Sequence, residues 1–218
     1  MTGIGYYIRK AEQVIISFCD DKQYNINQII EFYNIQELME VGAYPRDWTE
    51  EKYRQLKEIT SRFSRAIDIF FSQINDDNIG SILDEVDINY SDDFWHLLNR
   101  HKVIERIDKN VFVLLLNNDD VISHVLKVKG IVYFFGSEIA QYMLDHPETA
   151  HFLIQRFRTE NRDIWIPKEL AKDKYEELIL SYMETDTCRH SDVALLINAK
   201  NEPQFPVSDS LRLKARKL

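Results

Sequence analysis

The apolar positions from Leu56 to Ile74 advance by alternating steps of four and three residues, through Leu56, Thr60, Phe63, Ile67, Phe70 and Ile74. On an α-helix this spacing holds one narrow seam toward a partner, whereas on a strand it would scatter the same side chains over both faces. A long helix is therefore predicted. Its start is marked by Thr49 as N-cap and by Glu50 and Glu51, whose carboxylates suit the positive end of the helix dipole, with Trp48 and Tyr53 placed to staple the first turn. Its end is marked by the turn formers Asn75, Asp76, Asp77, Asn78 and Gly80.

Helical spacing recurs along the chain, and six glycines and five prolines in 218 residues leave few interruptions. Tyr7, Ala11, Val14, Ile15 and Phe18 predict a helix over Tyr6 to Cys19, and Ile26, Ile29, Ile30, Tyr33 and Leu38 a second, stopped by Gly42 and Pro45. Ser91 is the expected cap of a helix carrying Phe94, Trp95, Leu97 and Leu98, and Ser137 of one carrying Ile139, Tyr142 and Met143. Pro147 suits the first position of a helix bearing Ala150, Leu153, Ile154 and Phe157, and Tyr175, Leu178, Ile179 and Tyr182 repeat that spacing. Ser191 and Ser208 are read as caps of the last two segments. Ile164 to Pro167 reads as an extended link, because the residue before a proline avoids helical backbone. Val111 to Leu116 and Ile131 to Phe135 are short enough for a small β-hairpin, but their helical flanks favour helices.

The expected fold class is all-α: an irregular helical bundle or stacked helical hairpins, with at most a minor β-hairpin. No fixed repeat period supports a regular solenoid. Charge density rises and the apolar spacing lapses between Arg158 and Pro167, so the expected division is an N-terminal helical lobe, 1–160, and a C-terminal helical lobe, 161–218. The amphipathic pattern is still running at Leu218. That pattern reads either as the N-terminal region of a longer protein or as a basic helix that ends there.

Composition narrows the function classes. Hydrophobic residues at 44% and charged residues at 29% describe a chain that folds around a core. A net charge of −9 opposes a surface that attracts phosphate throughout. Cys19 and Cys188 are too few and too far apart for a disulfide framework or a four-ligand zinc site, which fits a reducing cytoplasm. No stretch reads as a signal peptide or a membrane span.

The motifs with known chemistry are largely missing. Gly3 and Gly5 begin a dinucleotide-like pattern, but Ile8 stands where the third glycine is needed. No phosphate loop occurs, and the residues around Gly136 and Ser137 lack the framework of a nucleophile elbow. Asn75, Asp77 and Gly80 resemble the start of a calcium loop, yet Ile79 and Val86 occupy ligand positions. His96 and His101 are five apart and would not share a zinc ion on one helix face, and Cys188 with His190 is too small a set. The arginine-then-histidine spacing of many helical bacterial ribonucleases is absent: His146 and His151 precede Arg156, and His151 reads as a helix-flank residue beside Leu153 and Phe157. No catalytic set, metal or cofactor is expected from these patterns.

Charge distribution is the remaining signal. No lysine or arginine occurs from Ala66 through Asn99, a stretch that holds Asp76, Asp77, Asp84, Glu85, Asp87, Asp92 and Asp93 as a candidate acidic interaction face. Arg212, Lys214, Arg216 and Lys217 form a candidate basic contact at the other end. An acidic face steers cationic protein surfaces and repels nucleic acid. The expected function is accordingly a helical protein–protein interaction or scaffolding module, its partner another protein or another domain of the same longer chain. The alternative is a nucleic-acid-processing enzyme or toxin-like effector that uses the basic C-terminal helix as its contact, with nucleic acid the less favoured partner.

Overall fold

The structure, a computed structural model, describes residues 26, 27, 29, 30, 33, 50–158, 164–170, 172–199 and 207–217. The helix expected over Tyr6 to Cys19, the Thr49 cap with Trp48, and Leu38, Gly42 and Pro45 lie outside the described residues. The chain divides into two compact units, Met1–Arg106 and Ile107–Leu218. The link expected between two lobes, 158–167, lies inside the second unit.

In the first unit, helix α1 (Glu50–Gln73) runs as its apolar spacing requires. Ile67, Phe70 and Ile74 of the seam are buried, whereas the side chains of Leu56, Thr60 and Phe63 lie outside the described set. Asn75 and Asn78 then close the turn: the Asn75 amide N–H donates to Asn78 Oδ1 at 2.9 Å. Arg106 caps α1 from a distance, donating from Nη2 to the Phe71 carbonyl at 2.8 Å and from Nη1 to the Ser72 carbonyl at 3.0 Å. These carbonyls are among those a helix end leaves without an internal partner. Helix α2 (Ile79–Glu85) follows, and α3 (Ser91–Arg100) buries Phe94, Trp95, Leu97 and Leu98. Ser91 is the first residue of α3 and not its cap. The capping carboxylate belongs to Asp87, which accepts from the Asn89 amide at 2.9 Å in the 3₁₀ turn Ile88–Tyr90 just before it.

The second unit is a chain of shorter helices: α4 (Lys109–Leu116), α5 (Asp119–Val125), α6 (Lys129–Phe134), α7 (Gly136–Asp145), α8 (Ala150–Ile154), α9 (Lys172–Met183), α10 (His190–Asn198) and α11 (Asp209–Ala215). Both apolar runs that could have paired as a hairpin are helical, on α4 and α6, and no strand occurs among the described residues. The architecture is an all-α, irregular helical bundle. Asp108 and Asn118 cap α4 and α5 through their side chains, accepting from the Asn110 and Asp120 amides. Such polar caps are what a buried-strand reading of the Val111 run would lack.

Phe112 of α4 stacks on Phe135 at the α6–α7 junction, ring centroids 3.8 Å apart and nearly parallel, and both side chains are fully buried. A Cβ at Gly136, the first residue of α7, would meet the Glu169 carboxylate, so that side chain would have to shift to admit one. α7 begins at Gly136 and not with Ser137 as a cap. Pro147 takes the first position of a 3₁₀ turn, Pro147–Thr149, as its fixed φ favours, and this turn leads directly into α8. The Ile164 to Pro167 link is non-helical as expected, and the Trp165 amide donates to the Leu126 carbonyl at 2.7 Å. α8 packs against α9 and α10, and α11 against both α9 and α10. Ser208 caps α11, accepting from the Leu211 amide at 3.1 Å.

Two substitutions on α4 separate its faces. Phe112→Ala removes a ring from a closed core and is expected to cost about 3–5 kcal/mol in urea unfolding. Leu114→Ala, at a side chain 67% exposed, is expected to change stability by about 0.5 kcal/mol or less.

Candidate functional site

Among the described residues of the second unit, one carboxylate is removed entirely from water. Asp192, on the first turn of α10, has zero exposure. It shares the helix's buried stripe with Leu196 and Ala199, four and seven residues on, so the fold of α10 carries a charge inward with its apolar face. A buried carboxylate is tolerated only with its oxygens satisfied. Asp192 Oδ2 is 2.7 Å from His151 Nδ1 and accepts from the Tyr182 hydroxyl at 2.5 Å, and Oδ1 accepts from Gln155 Nε2 at 2.9 Å. His151 and Gln155 reach it from the same face of α8 and its 3₁₀ extension, one helical turn apart, and Tyr182 reaches it from the last turn of α9.

The network continues outward. Arg189, the N-cap of α10, places Nη1 2.8 Å from His151 Nε2, and its backbone N–H donates to the Tyr182 hydroxyl oxygen at 3.1 Å. A guanidinium can only donate. The Arg189 contact therefore assigns His151 as the neutral ring, with its proton on Nδ1 facing Asp192 and its Nε2 lone pair facing Arg189. The result is a directed chain from guanidinium through imidazole to carboxylate. Arg189 is held at both its backbone and its side chain.

Burial by itself would raise the Asp192 carboxyl, but the hydrogen bonds from His151 and Tyr182, with the charge of Arg189, hold it below its usual range. Burial, followed by the hydrogen bond to Asp192, pushes the Tyr182 phenol well up, so it remains a donor. Burial, then the Asp192 charge, pushes the neighbouring Cys188 thiol up, away from the thiolate that a nucleophile would need.

Arg189 and His151 open onto a cavity of about 340 Å³. Lys127, just past α5, and Arg158, just before residue 159, bring two more cations to its wall. Phe152 and Ile164 give it an apolar side, and Ser123, Gln155 and Ser191 add polar groups. No acidic side chain lines it among the described residues.

The residues singled out from sequence lie elsewhere. Asp76, Asp77, Asp84, Glu85 and Asp87 are exposed in the first unit, and Asp92 and Asp93 are half-buried in the first turn of α3. Asp87 is engaged as a cap. Of the basic residues, Arg212 holds the end of α10, donating to the Ile197 and Ala199 carbonyls at 3.2 and 2.6 Å, and Lys214 pairs with Glu184 at 2.6 Å. Arg216 and Lys217 are exposed. No group of three or more His, Cys, Asp or Glu side chains able to hold a metal ion occurs among the described residues. His151, read as a flank residue, is instead the centre of the network. Asp192 and Arg189 belong to no motif in the sequence, although an aspartate in register with Leu196 and Ala199 on an apolar stripe is a signal for a buried partner.

No protein-family model, curated protein or solved structure matches the chain.

Asp192→Ala strands three donors around a vacated charge and is expected to destabilise the protein by about 3–5 kcal/mol in urea unfolding. The pH dependence follows from the depressed carboxyl. Its stabilising contribution is complete above the ordinary value of 3.8 and declines as pH falls through the lower folded value. The stability gap between the native chain and Asp192→Asn should therefore narrow below that pH, measured by unfolding at constant ionic strength.

Proposed function

We propose that the chain is a helical recognition module and that its second unit recognises an anionic group seated against Arg189. The observation that supports this is the fixed guanidinium: Nη1 is tied to His151 and, through it, to the buried Asp192, while the side chain faces a cavity that Lys127 and Arg158 also line. Arginine presents its donors as a planar fork, and fixing one nitrogen in advance lowers the conformational cost of engaging carboxylate or phosphate oxygens with the rest. The broader form of the reading, a module that binds another protein or another domain of a longer chain, draws on Tyr133 and Phe134, adjacent on α6 and both exposed. Aromatic side chains of that kind anchor protein interfaces. A cytoplasmic setting goes with the reading. It draws on the free Cys188 thiol, and no helix among the described residues is long and apolar enough to cross a membrane.

The enzymatic alternative draws on the same residues, since an imidazole backed by a carboxylate and flanked by an arginine is a general base beside an anion stabiliser. Binding is favoured because the His151 nitrogen that would accept a proton is occupied by Arg189, and the Ser123 hydroxyl donates to the Asp120 carbonyl at 2.7 Å.

Thermal unfolding in inorganic phosphate, sulfate or citrate, against chloride at equal ionic strength, separates these readings. A specific anion should raise the melting temperature by an amount that grows with its concentration, toward about 2.7 kcal/mol of stabilisation at a hundredfold excess over Kd. Arg189→Ala should abolish the effect. No shift with any anion would refute the binding assignment, and turnover of a phosphodiester that is lost in His151→Ala would favour the enzyme.

A further inference from the structure

We infer that the Arg189 pocket takes a phosphate monoester carried on an organic body of about mononucleotide size, an inference that rests on the anion-binding reading and narrows it. The first support is charge. Lys127, Arg158 and Arg189 converge on one cavity, and no described carboxylate shares its wall. Asp192 is sealed behind His151 with both oxygens engaged. A carboxylate ligand would bring one charge and two coplanar oxygens. A phosphate monoester brings about −1.5 to −2 charges at neutral pH and three strong acceptor oxygens. Its tetrahedral array suits donors that arrive from separate segments: residue 158 and the N-cap of α10.

The second support is size and wall chemistry. The cavity of about 340 Å³ is roughly ten times the ~30 Å³ share of one water and falls in the ~300–1,000 Å³ range of small-molecule sites. A bare phosphate would leave most of it filled with water. Phe152 and Ile164 line the part that the cations do not, and an aromatic ring offers a stacking surface to any nucleobase irrespective of its identity. Ser123, Gln155 and Ser191 provide polar groups for the edges of such a body. The chain's net charge of −9 repels a long polyanion, so a cationic pocket set in an acidic protein favours a small ligand over a nucleic-acid tract.

Titration calorimetry on the full chain tests the inference with adenosine and uridine monophosphates, inorganic phosphate, adenosine, and short oligonucleotides with a 5′-phosphate or a 5′-hydroxyl. The nucleoside monophosphates should bind at least about tenfold more tightly than inorganic phosphate or adenosine. Arg189→Ala should weaken nucleotide and phosphate alike by about tenfold or more. Phe152→Leu should weaken the nucleotides and leave inorganic phosphate unchanged, with circular dichroism melts showing that both variants fold. Stronger binding of the 5′-phosphorylated oligonucleotide, with its 5′-hydroxyl counterpart silent, would support the same phosphate chemistry and assign its carrier as a nucleic-acid end. Nucleotides no tighter than inorganic phosphate, or equal binding of the two oligonucleotides, would overturn the inference while the anion assignment stands. Absence of binding by every anion would remove both.

Discussion

The site in the second unit depends on one burial: the Asp192 carboxylate, drawn out of water by the apolar face of α10 on which it lies. A charge in that position costs several kcal/mol unless donors meet it. The fold supplies three, two from α8 with its 3₁₀ extension and one from α9, and so ties both of those segments to α10. The same interaction that makes the burial tolerable also fixes the imidazole ring of His151, and the ring in turn fixes the guanidinium. Packing, electrostatics and the geometry at the pocket mouth are therefore consequences of a single buried charge.

The helical architecture was legible in the sequence because period and punctuation agreed. The seam of α1, the Tyr175 to Tyr182 stripe of α9 and the Pro147 turn are local patterns, and each was realised where the spacing placed it. The misplaced caps share a physical cause. Ser91, Ser137 and Ser191 look like N-caps by residue type, but at each site the preceding backbone had already turned helical or was held by something else. Asp87 closes a 3₁₀ turn ahead of α3, the Glu169 carboxylate lies over Gly136 at the start of α7, and Arg189 occupies the cap of α10. A serine cannot reveal a tertiary partner that competes for its role.

The candidate site was not legible for a related reason. Residues 151 and 155, residue 182, and residues 189 and 192 come from three segments, and no spacing rule links a histidine to an aspartate forty-one residues later. The conspicuous pattern in the sequence is density of charge, at 76–93 and 212–217. Density reports solvated surface more than it reports chemistry. Arg212 and Lys214 illustrate the difference: both belong to the basic cluster, yet one holds the α10 carbonyls and the other pairs with Glu184. A lone acid on an apolar stripe is the more informative pattern, because its burial must be answered by specific partners whereas an exposed acid is answered by water.

This contrast bears on how Arg189 can act. An exposed arginine on a loop samples many rotamers, and binding an anion must first restrict them. Here the restriction is imposed during folding: the Tyr182 hydroxyl holds the backbone of residue 189 and the His151 ring holds its guanidinium. The His151 contact takes one N–H of Nη1, so on the proposed reading an arriving anion would meet the remaining donors of the fork already oriented, and the buried carboxylate behind His151 sets how firmly that histidine holds them.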